Sequence, residues 1–279
     1  MSKPIPIVFI HIGYSPYLPY TLGLAKLRNM ESQCILIGDK NNNKLPFVTH
    51  TDMGHYGRQA SEFQKCYHHL SPNGYPYELF CFIRWFLLRD FMRTHSFDAA
   101  LHVDSDVMLY VDVNKERELW TDWELTLVNE GQCAGNMFIN GLKGLEDLCD
   151  LLWTTYTAPD RIEKLTAIYE DRRKHKTGIS DMVFLQRLYD ANRHRVGDMT
   201  GIQPDDSYWD ANVHMDEGFE MQDQRKRIRF ENYFPFCRHM ASGKEIRFKS
   251  LHFQGGRGKP HIEPTFRLSV PPALNKQAA

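Results

Sequence analysis

Between residues 5 and 38 the chain reads strand, helix, strand. Residues 5–12, Ile-Pro-Ile-Val-Phe-Ile-His-Ile, form one apolar β-prone run, and residues 34–38, Cys-Ile-Leu-Ile-Gly, form another. Runs this short and this uninterrupted by polar residues fit strands buried on both faces. Residues 14–20 are rich in Tyr and Pro and read as a turn, and 21–29 read as a helix. Two strands joined through a helix pair in parallel by a right-handed crossover. The opening therefore commits the chain to an α/β sheet, whose ligands gather beyond the carboxyl ends of the strands. Gly13 stands at the first such end and Asp39 at the second. No G-x-G-x-x-G links the first strand to its helix, so the usual dinucleotide fingerprint is absent.

The most chemical stretch is 98–110. Apolar runs at 99–103 and 107–110 flank Asp104-Ser105-Asp106. Aspartates at i and i+2 on extended backbone leave the same face. Their oxygens suit Mg²⁺ or Mn²⁺. Such a triplet arises by chance about once in a chain of this length, and turns favour Asp in any case. The flanks decide its weight, because a carboxylate pair set between buried strands is costly unless a cation compensates it.

Elsewhere the pattern alternates. Val48 lies in a third strand, and 61–70 read as a short helix. In 78–94, Leu79, Phe82, Ile83, Phe86, Leu87 and Phe91 recur at helical spacing, with Arg84 among them. Arg84 is either an exposed helix residue or one aimed at a ligand phosphate, a task that suits a guanidinium. Residues 124–129 and 135–141 are strand-like, and 142–156, 161–172 and 180–190 are helical. Ser180 and Asp181 stand where short polar side chains cap a helix. Residues 200–247 read as irregular and polar-aromatic; within them Tyr208-Trp209 is either core or a platform for sugar rings. Residues 248–253 form a last strand carrying His252. The Gly-rich run 254–260 follows, with Arg257 and Lys259 in a backbone free to approach an anion. The expected organisation is one domain, 1–265, and a flexible tail, 266–279.

With 42% hydrophobic and 25% charged residues the composition is globular, and a net charge of −1 advertises no field for nucleic acid. The six cysteines include no C-x-x-C pair, which argues against a zinc site and fits a reducing compartment. The first residues lack the apolar core of a signal peptide, and no apolar stretch reaches spanning length. The chain thus reads as cytoplasmic. The basic clusters 172–176 and 225–227 read as solvated surface, or as peripheral contact with an anionic membrane or an acidic acceptor. The oligomeric state stays open.

A carboxylate pair at one strand end, a histidine at another and a basic Gly-rich run after it can together hold a divalent cation and a diphosphate. Here the sequence resembles glycosyltransferases with the GT-A fold. Residues 101–110 resemble their metal-binding strand-turn, and 78–85 the helix before it, where an arginine faces the nucleotide. Residues 134–140 resemble their donor-sugar strand, and 178–185 their acidic helix start. His252-Phe253-Gln254-Gly255 with Lys259-Pro260 is similar to the late histidine–glycine–lysine–proline motif of the glycogenin-like and lipooligosaccharide galactosyltransferase families. The likeness runs in order from 5 to 260. It departs in the extra residues between Gly255 and Lys259, in His261 where tryptophan is usual, and in the His11-Ile12-Gly13 end of the first strand.

The resemblance implies a single Rossmann-like domain with a mixed, mostly parallel sheet flanked by helices. It implies a metal-dependent hexosyltransferase that moves sugar from a nucleotide-sugar donor, UDP-linked, to a saccharide, glycolipid or other hydroxyl acceptor. Asp106 and His252 would ligate Mn²⁺ or Mg²⁺, with Asp104 shared between metal and ribose and Ser105 as the spacer against the donor. Arg84 and Lys259 would add charge at the diphosphate. His11, Gly13, Tyr14 and Asp39 would hold base and ribose, and Asn136, Asn140 and Asp181 would read sugar hydroxyls. The late motif favours a retaining enzyme, in which the leaving phosphate takes the acceptor proton. An inverting one needs a carboxylate base, for which Asp181 and Asp210 are the candidates. Competing classes are a two-metal phosphodiesterase, which needs more ligands than appear here, a sugar nucleotidyltransferase, which needs a basic Gly-rich loop after the first strand, and a non-catalytic sugar-binding module.

Overall fold

A computed structural model of the chain describes residues 3–274. The opening unit is present. Strands β1 (Ile7–Ile10) and β2 (Cys34–Gly38) pair in parallel, Ile7 beside Cys34, and are joined through α1 (Leu18–Arg28). The helix starts earlier than the pattern suggested because Pro19 sits in its first turn, where a missing N–H has no partner to lose. Strand β3 (Thr49–Asp52) adds to β2, also in parallel, and helices α2 (Arg58–Cys66) and α3 (Tyr75–Thr94) follow. Strand β4 (Ala99–Val103) then pairs with β1 in parallel. Next come β5 (Val107–Leu109), α4 (Val113–Arg117), β6 (Leu125–Leu127), β7 (Asn136–Asn140), α5 (Lys143–Thr157), α6 (Pro159–Arg172), α7 (Asp181–Ala191) and β8 (Val196–Asp198).

These build a seven-stranded sheet in the order β3-β2-β1-β4-β7-β6-β8. Only β7 runs antiparallel to its neighbours, so the sheet is mixed and mostly parallel, as expected. Apolar clusters cover both faces. One is built on α3, whose Phe82, Trp85, Phe86 and Phe91 are buried against the sheet, each burial being worth about 1.5–3 kcal/mol. The other contains Leu18, Leu22 and Ala25 of α1.

The reading of 200–247 as irregular is corrected. Strands β9 (Ser207–Trp209), β10 (Met221–Gln222), β11 (Arg225–Lys226), β12 (Arg229–Glu231) and β13 (Phe234–Arg238) lie there, and β14 (Glu245–His252) follows. A second sheet runs β12-β13-β14-β5, with β9 also on β14. The pattern hid these strands because they are only two to five residues long and alternate polar with aromatic residues. The β10–β11 and β12–β13 hairpin turns also lack glycine. Asp223-Gln224 and Asn232-Tyr233 supply two successive positive φ values each (51° and 62°, 49° and 68°), the geometry of a primed turn. Trp209 is fully buried, edge-on to Phe138 in the core, and is not a sugar platform.

The Gly-rich run is not an open loop. It coils into α8 (Gly255–Gly258) and a 3₁₀ turn, Lys259–His261, that leads into α9 (Ile262–Ser269). The expected flexible tail from 266 is therefore helix as far as Ser269, because Phe266 and Val270 bury against the second sheet's core. Residues 275–279 lie outside the described residues. The cluster 225–227 is not wholly surface either, since Lys226 is buried. In 172–176, Arg173 pairs with Glu170 and Lys174 with Asp171. Among the described residues no helix is long and apolar enough to cross a membrane. All six cysteines are free.

Candidate active site

The two sheets meet at Asp104-Ser105-Asp106. Strand β4 belongs to the first sheet and β5 to the second, so the triplet is the crossover between them. Strand β14 runs antiparallel to β5 and sets His252 opposite Val107. The next peptide is fixed too, since the Phe253 N–H donates to the Asp106 carbonyl at 3.0 Å. Sheet register thus brings a late histidine to an early carboxylate pair. One ligand atom from each of Asp104, Asp106 and His252 lies within 4.8 Å of the others.

The His252 Nε2 atom lies 3.4 Å from Asp106 and 3.9 Å from Asp104, buried and without a hydrogen-bond partner. An unpaired buried nitrogen is costly. Two carboxylates and an imidazole form a donor set that fits Mn²⁺ or Mg²⁺. Burial by itself would depress the His252 pKa, but Asp106, with a smaller contribution from Cys133, raises it well above its ordinary value. A metal ion would have to displace that proton. Gly135 makes room for the ring, because a Cβ there would lie 2.7 Å from its Nδ1 atom. Gly135→Ala is expected to turn the imidazole and weaken Mn²⁺ binding by roughly 10–100-fold, the usual cost of disturbing a ligand's support. Calorimetric titration with Mn²⁺ checks this, and an unchanged affinity would remove His252 from the ligand set.

Arg84, on α3, clamps the other side. Its Nη1 donates to Asp104 and its Nη2 to Asp181 at 2.8 Å, while the guanidinium lies over the Trp85 ring at 4.3 Å. The Trp85 Nε1–H also donates to Asp181, at 3.0 Å. Burial would raise the Asp104 pKa, but Arg84, helped by His102, holds it far below the ordinary carboxylate range. Arg84 is therefore not a solvent-facing helix residue. Nor are Ser180 and Asp181 side-chain caps: Ser180 makes no capping bond, and Asp181 is buried against Arg84 and Trp85. Lys259 reaches Asp106 at 3.7 Å and lies over the Tyr17 ring at 5.5 Å.

The ends of β1 and β2 are tied to the same place. His11 bonds to Ser105 at 2.9 Å and to Ser15 at 3.1 Å. Burial, and then Lys259, push its pKa down to about 4, so the ring is neutral at pH 7. Gly13, at φ 73°, adopts a left-handed backbone that suits glycine, and its N–H donates to Asp39 at 3.0 Å. Tyr14 is exposed beside a cavity of about 380 Å³, shared with Asn41, Asn42, Lys44 and Leu45. Nothing in the sequence pattern singles out these four residues. The signal that could have found them was their place after the carboxyl end of the second strand.

The two asparagines expected to read the sugar stand at opposite ends of β7. Asn136 pairs with Val103 at the triplet's end of β4, buried, with its Nδ2 on Ser250 at 3.0 Å and its Oδ1 unpartnered. Asn140, four residues on, pairs with Ala99 at the opposite end, roughly 13 Å along the strand. It accepts from Arg117 and donates to the Trp120 and Trp123 carbonyls, each at 2.9 Å, so its side chain staples a loop. Asn140→Ala is expected to cost about 1–3 kcal/mol of stability in urea denaturation and to leave Mn²⁺ affinity unchanged. A tenfold loss of that affinity would return Asn140 to the site. Asp210 is fully buried, bonded to Lys226 at 2.8 Å and to the His252 N–H at 2.9 Å, so it cannot face an acceptor hydroxyl.

No family model and no curated protein matches the chain. Solved structures similar to it include mouse xyloside xylosyltransferase 1 in its apo form, at 10% identity over 70% of this chain and 84% of that one, with a TM-score of 0.49. Another is the glycosyltransferase GlyE of Streptococcus pneumoniae TIGR4, at 15% identity over 74% of this chain and 46% of that one, with a TM-score of 0.40. A third is the galactosyltransferase LgtC in complex with donor and acceptor sugar analogs, at 12% identity over 99% of this chain and 100% of that one, with a TM-score of 0.49.

Proposed function

We propose that the chain is a metal-dependent glycosyltransferase of the GT-A type, moving a hexose from a UDP-linked donor to a hydroxyl of a saccharide or glycolipid. The observation that carries this reading is the convergence of Asp104, Asp106 and His252 within 4.8 Å, flanked by Arg84 and Lys259. The cavity at Tyr14 and Lys44 lies at the carboxyl ends of β1 and β2, where an open sheet takes a nucleotide.

In this reading Asp106, His252 and Asp104 would hold Mn²⁺ or Mg²⁺, which when bound would supply Lewis-acid stabilisation of negative charge on a diphosphate. Lys259 adds a cation beside Asp106 and neutralises phosphate oxygens as charge develops there. Arg84 holds Asp104 ionised and in position. Neutral His11 orients Ser105, and Asp39, fixed by the Gly13 N–H, offers carboxylate oxygen to ribose hydroxyls. Asp181 has one oxygen occupied by Arg84 and Trp85 and reads the donor sugar with the other.

A retaining outcome is the better supported. Both carboxylates that could serve an inverting reaction as base are engaged, Asp181 by two donors and Asp210 by a buried lysine. The acceptor proton then passes to the leaving phosphate. Incubation with Mn²⁺ and a panel of UDP- and GDP-sugars tests the reading through donor hydrolysis and nucleotide-induced thermal shift, and the anomeric configuration of the product tests retention. Nucleotide binding without cleavage of any donor would favour a non-catalytic binding protein. No cleavage and no shift would overturn the nucleotide site as well.

A further inference from the structure

A second cavity, of about 240 Å³, lies between the β10–β11 hairpin and α9. Ile228, Phe230, Leu251 and Leu268 form the apolar part of its lining, Lys226 and Arg227 belong to its polar part, and so do Arg225 and His261. These two differ from the other basic groups nearby. Arg227 pairs with Glu220, Arg229 with Glu220 and Glu245, and Lys226 with Asp210 and Glu217. Arg225 is half-buried and, among the described residues, has no ion pair and no side-chain hydrogen bond. Among the described residues the His261 ring likewise has no hydrogen bond.

Like charges are gathered here. Burial first, then Arg225 and His214, lower the His261 pKa, and no carboxylate offsets them. The buried Nε2 of His214 also lacks a partner. A half-buried guanidinium with no counter-ion, next to imidazoles with open nitrogens, is a costly arrangement that an anion relieves. A planar guanidinium fork matches phosphate oxygens. The apolar lining beside the guanidinium favours a ligand that carries hydrocarbon behind its charge.

We propose that this cavity binds a phosphate monoester attached to an apolar chain, with Arg225 and His261 on the phosphate and the chain against Phe230, Leu251 and Leu268. The site is separate from the metal and nucleotide residues, although His261 shares a 3₁₀ turn with Lys259.

The test is calorimetric titration of the metal-free protein with decyl phosphate below its micelle concentration, beside inorganic phosphate and the neutral amphiphile decyl maltoside. One saturable site is expected for decyl phosphate, with inorganic phosphate at least tenfold weaker and decyl maltoside without binding. Arg225→Gln and His261→Gln should each weaken decyl phosphate at least fivefold at unchanged melting temperature. Leu268→Asp, at a position 57% exposed, tests the apolar wall at little risk to folding and should also weaken it. Asp106→Asn should leave the affinity unchanged, which separates this site from the proposed transferase. Equal binding by wild type and Arg225→Gln, equal binding of decyl maltoside, equal binding of inorganic phosphate, or loss of binding in Asp106→Asn would each overturn the proposal.

Discussion

Asp106→Asn is expected to lower the rate of sugar transfer by roughly 10³-fold, about 4 kcal/mol of transition-state stabilisation. The choice between the two aspartates rests on their partners. Asp104 is already charge-compensated by Arg84 and sits 3.4 Å from His102. Asp106 has only His252 and Lys259 as charged partners among the described residues. The substitution keeps volume and shape but removes a full negative charge from the donor set, and an amide oxygen is a poorer partner for a hard cation. The folded state should survive it, because among the described residues the Asp106 side chain makes no hydrogen bond to the core beyond those contacts, and its backbone carbonyl still accepts from Phe253. Two measurements separate loss of metal from loss of fold. In wild type, Mn²⁺ at 100 times its dissociation constant should stabilise by about 2.7 kcal/mol. In the variant that increment should vanish while the metal-free melting temperature stays close to wild type. Transfer at the wild-type rate would show that the metal assignment is wrong.

The reach of the sequence can be judged on particular residues. The first parallel unit and the strands on either side of Asp104-Ser105-Asp106 were legible because strands buried on both faces are written as unbroken apolar runs. The second sheet was not, because strands such as β12 and β13 are short and half-exposed and are joined by a turn without glycine. That sheet nonetheless delivers His252, so the histidine could be singled out while the reason for its arrival, register with β5, could not. Asn140 failed for a simpler reason. A strand motif does not say which end of the strand meets the ligand, and β7 runs opposite to β4. Arg84 is the converse case. Helical spacing placed it among bulky residues, yet only the fold shows it bridging Asp104 and Asp181.

Lys226→Met is expected to destabilise the protein by about 3–5 kcal/mol, a fall in melting temperature of about 10 °C for a chain of this size. Lys226 is fully buried, and its ammonium donates to Asp210 at 2.8 Å, to Glu217 at 2.6 Å and to the Asn212 carbonyl at 2.7 Å. Methionine fills much of the same space but leaves Asp210, itself without exposure, as an uncompensated buried charge. The consequence reaches the metal cluster, because the second oxygen of Asp210 accepts the His252 N–H at 2.9 Å. Asp210→Asn should cost less, about 1–3 kcal/mol, since Lys226 keeps Glu217 and Asn212 and the amide oxygen can still accept one bond. Combining the two substitutions should recover part of the loss caused by Lys226→Met alone, as the orphaned charge is gone. The same pair decides what Asp210 does. A general base contributes roughly 10²–10⁴-fold to the rate, and its removal would depress kcat at any metal concentration. A positioning residue acts through His252, so activity lost in Asp210→Asn should follow the loss of Mn²⁺ affinity and return at saturating Mn²⁺. A persistent kcat defect with wild-type Mn²⁺ affinity would restore Asp210 as the base and require the hairpin over it to open during turnover.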